Sequence, residues 1–292
     1  MSTTENATSR YADIDDWSTT DLVDGMIESQ FTAIGAVASA RRAIAQAIDA
    51  TASRLGATGR IIYLGAGTSG RIGAQDGAEL PPTFNWPYER AITLMAGGPG
   101  ALLRAVENAE DSTTAAAVGL DGLGLTTADV VIGLAASGST PYVVAGLTHA
   151  RSRGALTIGI INNPGGKVGA AAEIEILLDT GPEFLAGSTR MKAGTAQKVA
   201  LNALSTGVMI RLGLVYRGLM VEMRPSNAKL RERAVRMVAE LTGADLELAR
   251  VTLEAADGVI KLATVMLLRS LSRTDAQATL DRADGNLRTA LK

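Results

Sequence analysis

Two loops rich in glycine and hydroxyl side chains are the parts of this sequence best suited to bind an anion. The first, Gly65-Ala-Gly-Thr-Ser-Gly70, follows an apolar run, and so does the second, Ser137-Gly-Ser-Thr-Pro141. Glycine lets the backbone approach a ligand closely, hydroxyls donate hydrogen bonds, and the first turn of a following helix has unpaired N–H groups. These features favour a phosphate site, whose candidate residues are Gly67, Thr68, Ser69, Ser137, Ser139 and Thr140.

Two other interpretations of these loops compete with phosphate binding. The first loop matches the G-x-G-x-x-G pattern of dinucleotide sites, which also require a carboxylate at the end of the second strand. That strand is predicted at Ala91–Ala96, and Gly97-Gly-Pro99 follows it without a carboxylate, so the pattern disfavours a dinucleotide. For Ser137–Pro141 the alternative is a helix N-cap with proline in the first turn, which holds whether or not a ligand binds.

Composition excludes several other kinds of chemistry. The 292 residues carry a formal net charge of -2, with 28 Lys and Arg against 30 Asp and Glu, so charge implies no nucleic-acid partner. The absence of cysteine excludes disulfides and thiolate nucleophiles. With His149 as the single histidine, histidine catalysis and multi-histidine metal sites are not expected, and no cofactor is predicted.

Nothing in the sequence predicts export or membrane insertion. The N-terminal stretch has no basic region followed by an apolar core, and no apolar run reaches the length of a membrane span. A chain without cysteines also suits a reducing compartment. We therefore expect a soluble, cytoplasmic protein without a membrane partner.

Apolar segments alternate with helical segments through the middle of the chain. The helical segments are expected near 70–79, 99–110 and 140–153. Near-continuous apolar strands that alternate with helices are typical of a parallel sheet covered on both faces. The predicted fold class is α/β with a doubly wound five-stranded parallel sheet, and the order 2-1-3-4-5 would bring both loops to one crevice. The strand candidates are Arg60–Gly65, Ala91–Ala96, Asp129–Ala135, Ala155–Ile161 and Glu173–Leu178.

Helical regions are expected before and after the sheet. Two helices with a break near residues 30–32 are predicted before the first strand. A small bundle of short amphipathic helices, at 228–241, 246–256, 259–269 and 272–282, is predicted to end the chain. The predicted domains are an N-terminal arm with helices at 1–52, a sheet domain that binds the ligand at 53–224, and a helical domain at 225–292.

A third polar stretch precedes the long apolar helix that is predicted to end near residue 214. It reads GSTRMKAGTAQK over 187–198, and Ser188 is its expected helix N-cap. Arg190 and Lys192 could face solvent, as most basic side chains do, or could supply positive charge near a bound phosphate. Ser188, Arg190 and Lys192 are therefore candidate substrate-binding residues.

Five motifs together make the sequence similar to one enzyme family. They are LGAGTSGR at 64–71, ELPPT at 79–83, AVENAED at 105–111, AASGSTPYV at 135–143 and GSTRMKAGTAQK at 187–198. Over nearly its whole length the chain resembles the N-acetylmuramic acid 6-phosphate etherases of the sugar-isomerase (SIS) superfamily. It departs from the usual pattern at Ser139, where many members have arginine, and at Ala78 and Leu80.

The resemblance implies a reaction, a fold and a pair of catalytic residues. The implied reaction cleaves the D-lactyl ether at C3 of N-acetylmuramic acid 6-phosphate, giving N-acetylglucosamine 6-phosphate and D-lactate during cell-wall recycling. The resemblance also implies a homodimer with a SIS fold, without metal or nucleotide, and a C-terminal part similar to a ubiquitin-associated (UBA) domain. The family's two catalytic glutamates correspond to Glu79 and Glu110. Other members of the superfamily sense sugar phosphates without turnover or isomerise aldoses to ketoses, and both functions stay open as alternatives.

Two carboxyl groups satisfy what this elimination requires. Once the sugar opens to its aldehyde, one carboxylate removes the C2 proton, and a second, protonated carboxyl gives a proton to the departing lactate oxygen. We expect Glu110 to be the base and Glu79 the acid, and the division of roles within the pair stays open. By residue type alone both would be solvated surface carboxylates, and Glu107, one helical turn before Glu110, is a competing candidate.

Overall fold

A computed structural model describes residues 3–292 as a parallel sheet and many helices. The strands are β1 (Ile61–Gly65), β2 (Ala91–Met95), β3 (Val130–Ala135), β4 (Leu156–Ile161) and β5 (Ile174–Leu177). The helices before β4 are α1 (Thr19–Ser39), α2 (Arg41–Leu55), α3 (Gly67–Phe84), α4 (Ala115–Gly122) and α5 (Pro141–Ser152). Those after it are α6 (Lys167–Ala171), α7 (Lys192–Arg211), α8 (Ala228–Thr242), α9 (Leu246–Ala255), α10 (Ile260–Arg269), α11 (Arg273–Arg282) and α12 (Leu287–Ala290).

The sheet confirms the predicted fold class. Its five strands are all parallel and lie in the order β2-β1-β3-β4-β5. Each strand begins and ends within one residue of its predicted bounds. β1, β3 and β4 are buried along their whole length, because strands inside a parallel sheet are covered on both faces and need apolar residues at every position.

Alternate residues of β1 pack on opposite faces of the sheet. Ile62 and Leu64 belong to a core that includes residues of α4 and α5. Tyr63 points to the other face, where it lies against Gly73 and Gly77 of α3. The period of two along a strand therefore places α3 and α5, the helices that follow the two glycine-rich loops, on different faces.

A buried carboxylate joins α3 to α7. Asp76 accepts hydrogen bonds from the hydroxyl of Tyr63 at 2.7 Å, from Nδ2 of Asn202 at 2.6 Å and from Oγ of Ser205 at 3.0 Å. Burial raises the pKa of Asp76, and these hydrogen bonds oppose the rise. The network holds α3 against both the sheet and α7, so the start of α3 has a defined position.

The segment 99–110 is not the helix that the sequence predicts. It contains two short 3-10 helices, Pro99–Leu102 and Ala109–Asp111, with irregular chain between them. Gly98 precedes the first with a φ of 74°, and Asn108 precedes the second with a φ of 59°, and both values lie outside the right-handed helical region. The prediction was wrong because the left-handed backbone of Asn108 does not fit a continuous α-helix, and Glu110 consequently lies in a short 3-10 turn.

The break predicted near residues 30–32 lies elsewhere. α1 continues to Ser39, and the chain turns at Ala40 before α2. Polar residues in this stretch donate hydrogen bonds from their hydroxyls to backbone carbonyls of the same helix. Ser29 donates to the carbonyl of Met26 at 2.7 Å, and Thr32 donates to the carbonyl of Ser29 at 2.8 Å. The helix therefore passes through this polar stretch without interruption.

The chain divides into two compact units. One comprises the chain up to Ala78 together with Tyr88–Thr206 and contains the sheet, and the other comprises Glu79–Pro87 and Gly207–Lys292. The second unit has its own apolar core, to which α8, α9, α10 and α11 contribute. No helix within residues 3–292 is long and apolar enough to cross a membrane. The three domains predicted from the sequence stay a prediction.

Asp129 ties β1 to β3 at the start of both strands. Its buried carboxylate accepts hydrogen bonds from the backbone N–H of Arg60 at 2.9 Å, from Nη2 of Arg60 at 2.6 Å and from the N–H of Thr126 at 2.7 Å. Burial raises the pKa of Asp129, but the hydrogen bonds from Arg60 and Thr126 outweigh burial and leave the pKa below its ordinary value. The ionised carboxylate is therefore part of the native structure.

We expect Asp129→Ala to lower the free energy of unfolding by about 3 to 5 kcal/mol, because it leaves a partly buried guanidinium and buried N–H groups without their acceptor. Urea unfolding at neutral pH measures the loss. Asp121→Ala is the control: that carboxylate is 50% exposed and pairs with His149 and Arg153 at the surface, so little or no loss of stability is expected. Because the folded pKa of Asp129 is depressed, its stabilisation is present above the unfolded pKa and disappears as the pH falls through the folded one. Equal losses in the two variants would contradict this role.

Candidate functional site

A cavity of about 360 Å³ opens where β1 and β3 end. Both glycine-rich loops line it, as expected at the point where the strand order reverses in a doubly wound sheet. The predicted phosphate-site residues Gly67, Thr68, Ser69, Ser137, Ser139 and Thr140 are all among its lining residues. The others are Glu5, Ala66, Glu110, Asp111, Ala135, Ala136, Pro141 and Thr189.

The first loop is a tight turn from strand to helix. β1 ends at Gly65 and α3 begins at Gly67, whose φ is 52°. A Cβ atom on Gly65 would lie 2.8 Å from the Cα of Gly70, so any larger residue would push the loop apart. The first N–H groups of α3 have no acceptor within the helix and are therefore available to an anion.

The hydroxyl of Ser69 is hydrogen-bonded to a chain of two buried side-chain amides, those of Gln197 and Asn162. Its Oγ donates to Oε1 of Gln197 at 2.8 Å, and Nε2 of Gln197 donates to Oδ1 of Asn162 at 3.1 Å. Asn162 donates in turn to the carbonyl of Leu178 at 2.9 Å. These bonds connect the first loop to α7 and to the ends of β4 and β5, and they fix the position of Ser69 at the cavity.

The second loop is ordered by its own hydroxyls. Ser137 Oγ accepts a hydrogen bond from the N–H of Ser139 at 3.2 Å and lies 3.4 Å from Oγ1 of Thr140. Gly138 has a φ of 72°, and a Cβ there would lie 3.2 Å from the carbonyl oxygen of Asn163. Thr140 is the N-cap residue of α5, but its side chain makes no capping hydrogen bond. The capping interpretation therefore does not account for this hydroxyl.

Glu110 brings a carboxylate to the same cavity as the loop hydroxyls. It lies in the 3-10 turn Ala109–Asp111, and its side chain is exposed. The competing candidate, Glu107, does not line this cavity. A carboxylate beside a site for a phosphate can remove a proton from a ligand that the phosphate anchors.

Glu79 lies far along α3 from the first loop. It follows Gly67 by twelve residues in this helix, which is about 18 Å along the axis at 1.5 Å per residue. Its side chain is exposed, and Glu79 does not line the cavity that contains Glu110. The role of Glu79 in catalysis therefore stays a prediction.

The start of α7 differs from its prediction. α7 begins at Lys192, and the carboxylate of Glu183 accepts from the N–H groups of Lys192 at 3.1 Å and Ala193 at 2.9 Å. Ser188 was therefore wrongly predicted as the N-cap, because a carboxylate nine residues before the helix satisfies its first N–H groups. Burial lowers the pKa of Lys192, which the charge of Glu183 opposes. Ser188, Arg190 and Lys192 do not line the cavity, and their role in substrate binding stays a prediction.

Glu5 and Thr189 line the cavity but were not predicted from the sequence. Glu5 lies in the N-terminal arm, which is fixed by hydrogen bonds from Thr3 Oγ1 to Asn163 at 2.7 Å and from the N–H of Gly187 to the carbonyl of Thr4 at 3.0 Å. No periodicity marks the arm as part of the site. Thr189 lies inside the motif at 187–198, from which the sequence predicts Ser188, Arg190 and Lys192 as the binding residues instead.

Comparisons with known folds agree with this architecture. Residues 43–151 match the glucokinase regulatory protein N-terminal SIS domain, and residues 121–207 match the SIS domain. The structure of a phosphoheptose isomerase from Francisella tularensis has a TM-score of 0.52 and 20% identity, covering 66% of this chain and 100% of that chain. At that identity the likeness supports the fold alone.

Relatives of nearly the same length are much more similar in sequence. An N-acetylmuramic acid 6-phosphate etherase of Deinococcus radiodurans is 46% identical over 288 residues, which are 99% of this chain and 94% of the relative. One from Pectobacterium atrosepticum is 48% identical over 278 residues, which are 95% of this chain and 92% of the relative. The similarity therefore extends over both compact units.

Proposed function

The chain belongs to the N-acetylmuramic acid 6-phosphate etherase family, and we propose that it carries out the family's reaction in the cavity where its two hydroxyl loops meet Glu110. The reaction cleaves the D-lactyl ether of N-acetylmuramic acid 6-phosphate to N-acetylglucosamine 6-phosphate and D-lactate, a carbon–oxygen lyase step in amino-sugar recycling. The observation that carries the proposal is that Glu110 and the candidate phosphate ligands line one cavity, in a chain nearly half identical to etherases.

The loops are proposed to hold the 6-phosphate of the substrate. Ser137 and Thr140 offer hydroxyl donors, Ser69 offers its backbone N–H in the first turn of α3, and α3 and α5 both begin beside the cavity. A hydrogen bond to a charged group contributes about 1.5 to 3 kcal/mol, and a helix N-terminus adds about 0.3 to 1 kcal/mol for an anion. Anchored in this way, the phosphate fixes one end of the sugar and leaves C2 and C3 to reach Glu110.

The two glutamates are proposed to divide the proton transfers. In the open aldehyde form of the sugar, Glu110 removes the proton from C2, and the electron pair left there expels the ether oxygen from C3. Glu79, protonated, gives its proton to that oxygen, and D-lactate leaves. Water then adds to the double bond, with hydroxide at C3 and a proton at C2, which restores the saturated sugar. Each carboxyl thereby returns to its starting state.

A second copy of the chain is proposed to complete the site as a homodimer. Glu79 does not line the cavity of its own chain, so the reaction needs this carboxyl from elsewhere. α1 carries an apolar stripe suited to such an association, with Val23, Ile27, Phe31 and Ile34 each between 44% and 73% exposed. These residues recur every three or four positions and so lie on one helix face. Burying that stripe against a second copy would favour a dimer.

Three further properties of the chain are proposals of the same kind. The second compact unit is proposed to act as the UBA-like helical domain, because its short helices enclose a core of their own. A cytoplasmic location follows from the cysteine-free sequence and from the phosphorylated amino sugar as substrate. A small phosphosugar, rather than nucleic acid, is the proposed ligand, because the charges of the sequence are balanced.

The reaction is tested by incubating the purified protein with N-acetylmuramic acid 6-phosphate in deuterated water. We expect D-lactate in amounts equal to the N-acetylglucosamine 6-phosphate formed, with one deuterium at C2 of the sugar product. The label is expected because the proton at C2 is exchanged during elimination and water addition. Binding without lactate release would indicate a sugar-phosphate sensor, and a ketose product would indicate an isomerase.

A further inference from the structure

A second cavity, of about 220 Å³, adjoins the first. The two cavities share Ala66, Gly67 and Glu110 among their lining residues, so they meet at the proposed base. Most of the second wall is apolar, and its apolar residues are Met95, Ala96, Ala101, Ala105, Val106 and Ala109. The hydroxyl residues of both loops line the first cavity and not the second, so the second cavity offers space for a part of the substrate other than the phosphate.

Arg71 lines the second cavity, and its guanidinium group bonds two backbone carbonyls among the described residues. Its Nε donates to the carbonyl of Leu102 at 3.0 Å, and its Nη2 donates to the carbonyl of Ala101 at 2.9 Å. These bonds use the edge formed by Nε and Nη2. A guanidinium has five N–H donors in a planar fork, so Nη1 and the second N–H of Nη2 form another edge, whose spacing matches a carboxylate.

The charge of Arg71 is not neutralised by a neighbour. Within the described residues the structure gives Arg71 two carbonyl partners and no ion pair, and Arg71 is the basic residue among those that line this cavity. Glu107 and Glu110 also line it, but both are exposed and neither forms an ion pair with Arg71 within the described residues. Arg71 also lies near the N-terminus of α3, where the helix dipole favours an anion. The cavity therefore suits a small group with one carboxylate and an apolar part.

We propose that the second cavity binds the lactyl group of the substrate, with the carboxylate on the Nη1–Nη2 edge of Arg71 and the methyl group against Ala105 and Val106. This inference rests on the proposed etherase function, whose substrate carries the lactyl carboxylate on the ether oxygen of C3, next to C2, and the phosphate at C6. Glu110, which both cavities share, then lies beside the bonds that change. Arg71 thereby distinguishes the substrate from the product, because N-acetylglucosamine 6-phosphate has no lactyl group.

Two substitutions test Arg71, of which one removes its charge together with its hydrogen bonds to Ala101 and Leu102 and the other keeps the charge. Arg71→Met keeps a long side chain without charge, and Arg71→Lys keeps the charge without the planar fork. We expect Arg71→Met to raise KM for N-acetylmuramic acid 6-phosphate by about 10- to 100-fold, the loss typical of a charged hydrogen bond, with Arg71→Lys in between. The affinity of both variants for N-acetylglucosamine 6-phosphate, measured by calorimetry, should differ from that of the wild type by less than about twofold, since that ligand has no carboxylate. Ser137→Ala is the matched control and should weaken both ligands alike, because the phosphate is common to them.

A substrate analogue tests the same contact in the unaltered protein, whether or not the variants fold. With the lactyl carboxylate converted to a carboxamide, wild-type KM should rise by a factor similar to that of Arg71→Met, and Arg71→Met should no longer distinguish acid from amide. The proposal fails if Arg71→Met loses affinity for substrate and product equally, or if the wild type accepts the amide as well as the acid. A wild type that binds both sugars but releases no lactate overturns the etherase mechanism, and the calorimetric affinities of the wild type and of Arg71→Met for the two sugars still decide the role of Arg71.

Discussion

Replacement of Glu110 by glutamine should stop D-lactate release while leaving the affinity for N-acetylglucosamine 6-phosphate nearly unchanged. The amide keeps the shape of the side chain but cannot accept the C2 proton, so we expect kcat to fall by about 10²- to 10⁴-fold, the usual contribution of a general base. Because Glu110 is exposed in a loop, the substitution should not change the thermal midpoint of unfolding. A coupled lactate assay, calorimetry with the product and a melting curve together measure these three quantities.

Two other glutamates serve as controls for this experiment. Glu89→Gln makes the same chemical change at an exposed position before β2, away from the cavity, and should retain wild-type turnover. Glu107→Gln tests the competing candidate, which lines the second cavity but not the first. If Glu107→Gln abolished turnover and Glu110→Gln did not, the base would have to be reassigned to Glu107.

Glu79→Gln should also abolish lactate release, although Glu79 does not line the cavity of its own chain. If the partner copy supplies this carboxyl, a mixed dimer of Glu79→Gln and Glu110→Gln contains one site with both substitutions and one with neither. We therefore expect the mixed dimer, isolated through two different affinity tags, to recover about half of the wild-type activity, because an isologous dimer has two equivalent sites. Each variant by itself should stay inactive.

Three outcomes of the mixing experiment differ clearly. Recovery of activity supports a site made from two copies, and the same sample should have the mass of a dimer by light scattering. An inactive mixed dimer would mean that both glutamates act within one chain, which requires a conformation other than the one described. Full activity of Glu79→Gln alone would remove Glu79 from the mechanism.

Most of the fold could be predicted because its signals are local. Val130–Ala135 and Leu156–Ile161 are apolar at every position, a pattern that central parallel strands require, and their bounds were predicted to within one residue. The predictions that were wrong concern places where distant residues or unusual backbone conformations determine the local structure. The left-handed Asn108 interrupts the expected helix at 99–110, and Glu183 caps α7 in place of Ser188.

The candidate site shows the same division. Ser69 and Ser137 could be predicted because glycine and hydroxyl residues after a strand are a local signature of an anion site. The contributions of Glu5 and Thr189 to the cavity could not, because these residues come from the N-terminal arm and from the segment before α7. The position of the Arg71 guanidinium depends on carbonyls thirty residues away, which nothing in the motif at 64–71 indicates.

The sequence by itself determined the strands, the two loops, the family and therefore the reaction, since each of these depends on residue order over short distances or on similarity along the chain. Tertiary structure alone decided that Glu110 shares a cavity with the loop hydroxyls and that Arg71 borders a second cavity. The physical reason is that local periodicity selects helices and strands, whereas the membership of a site depends on which remote segments the packed sheet and helices bring to the same crevice.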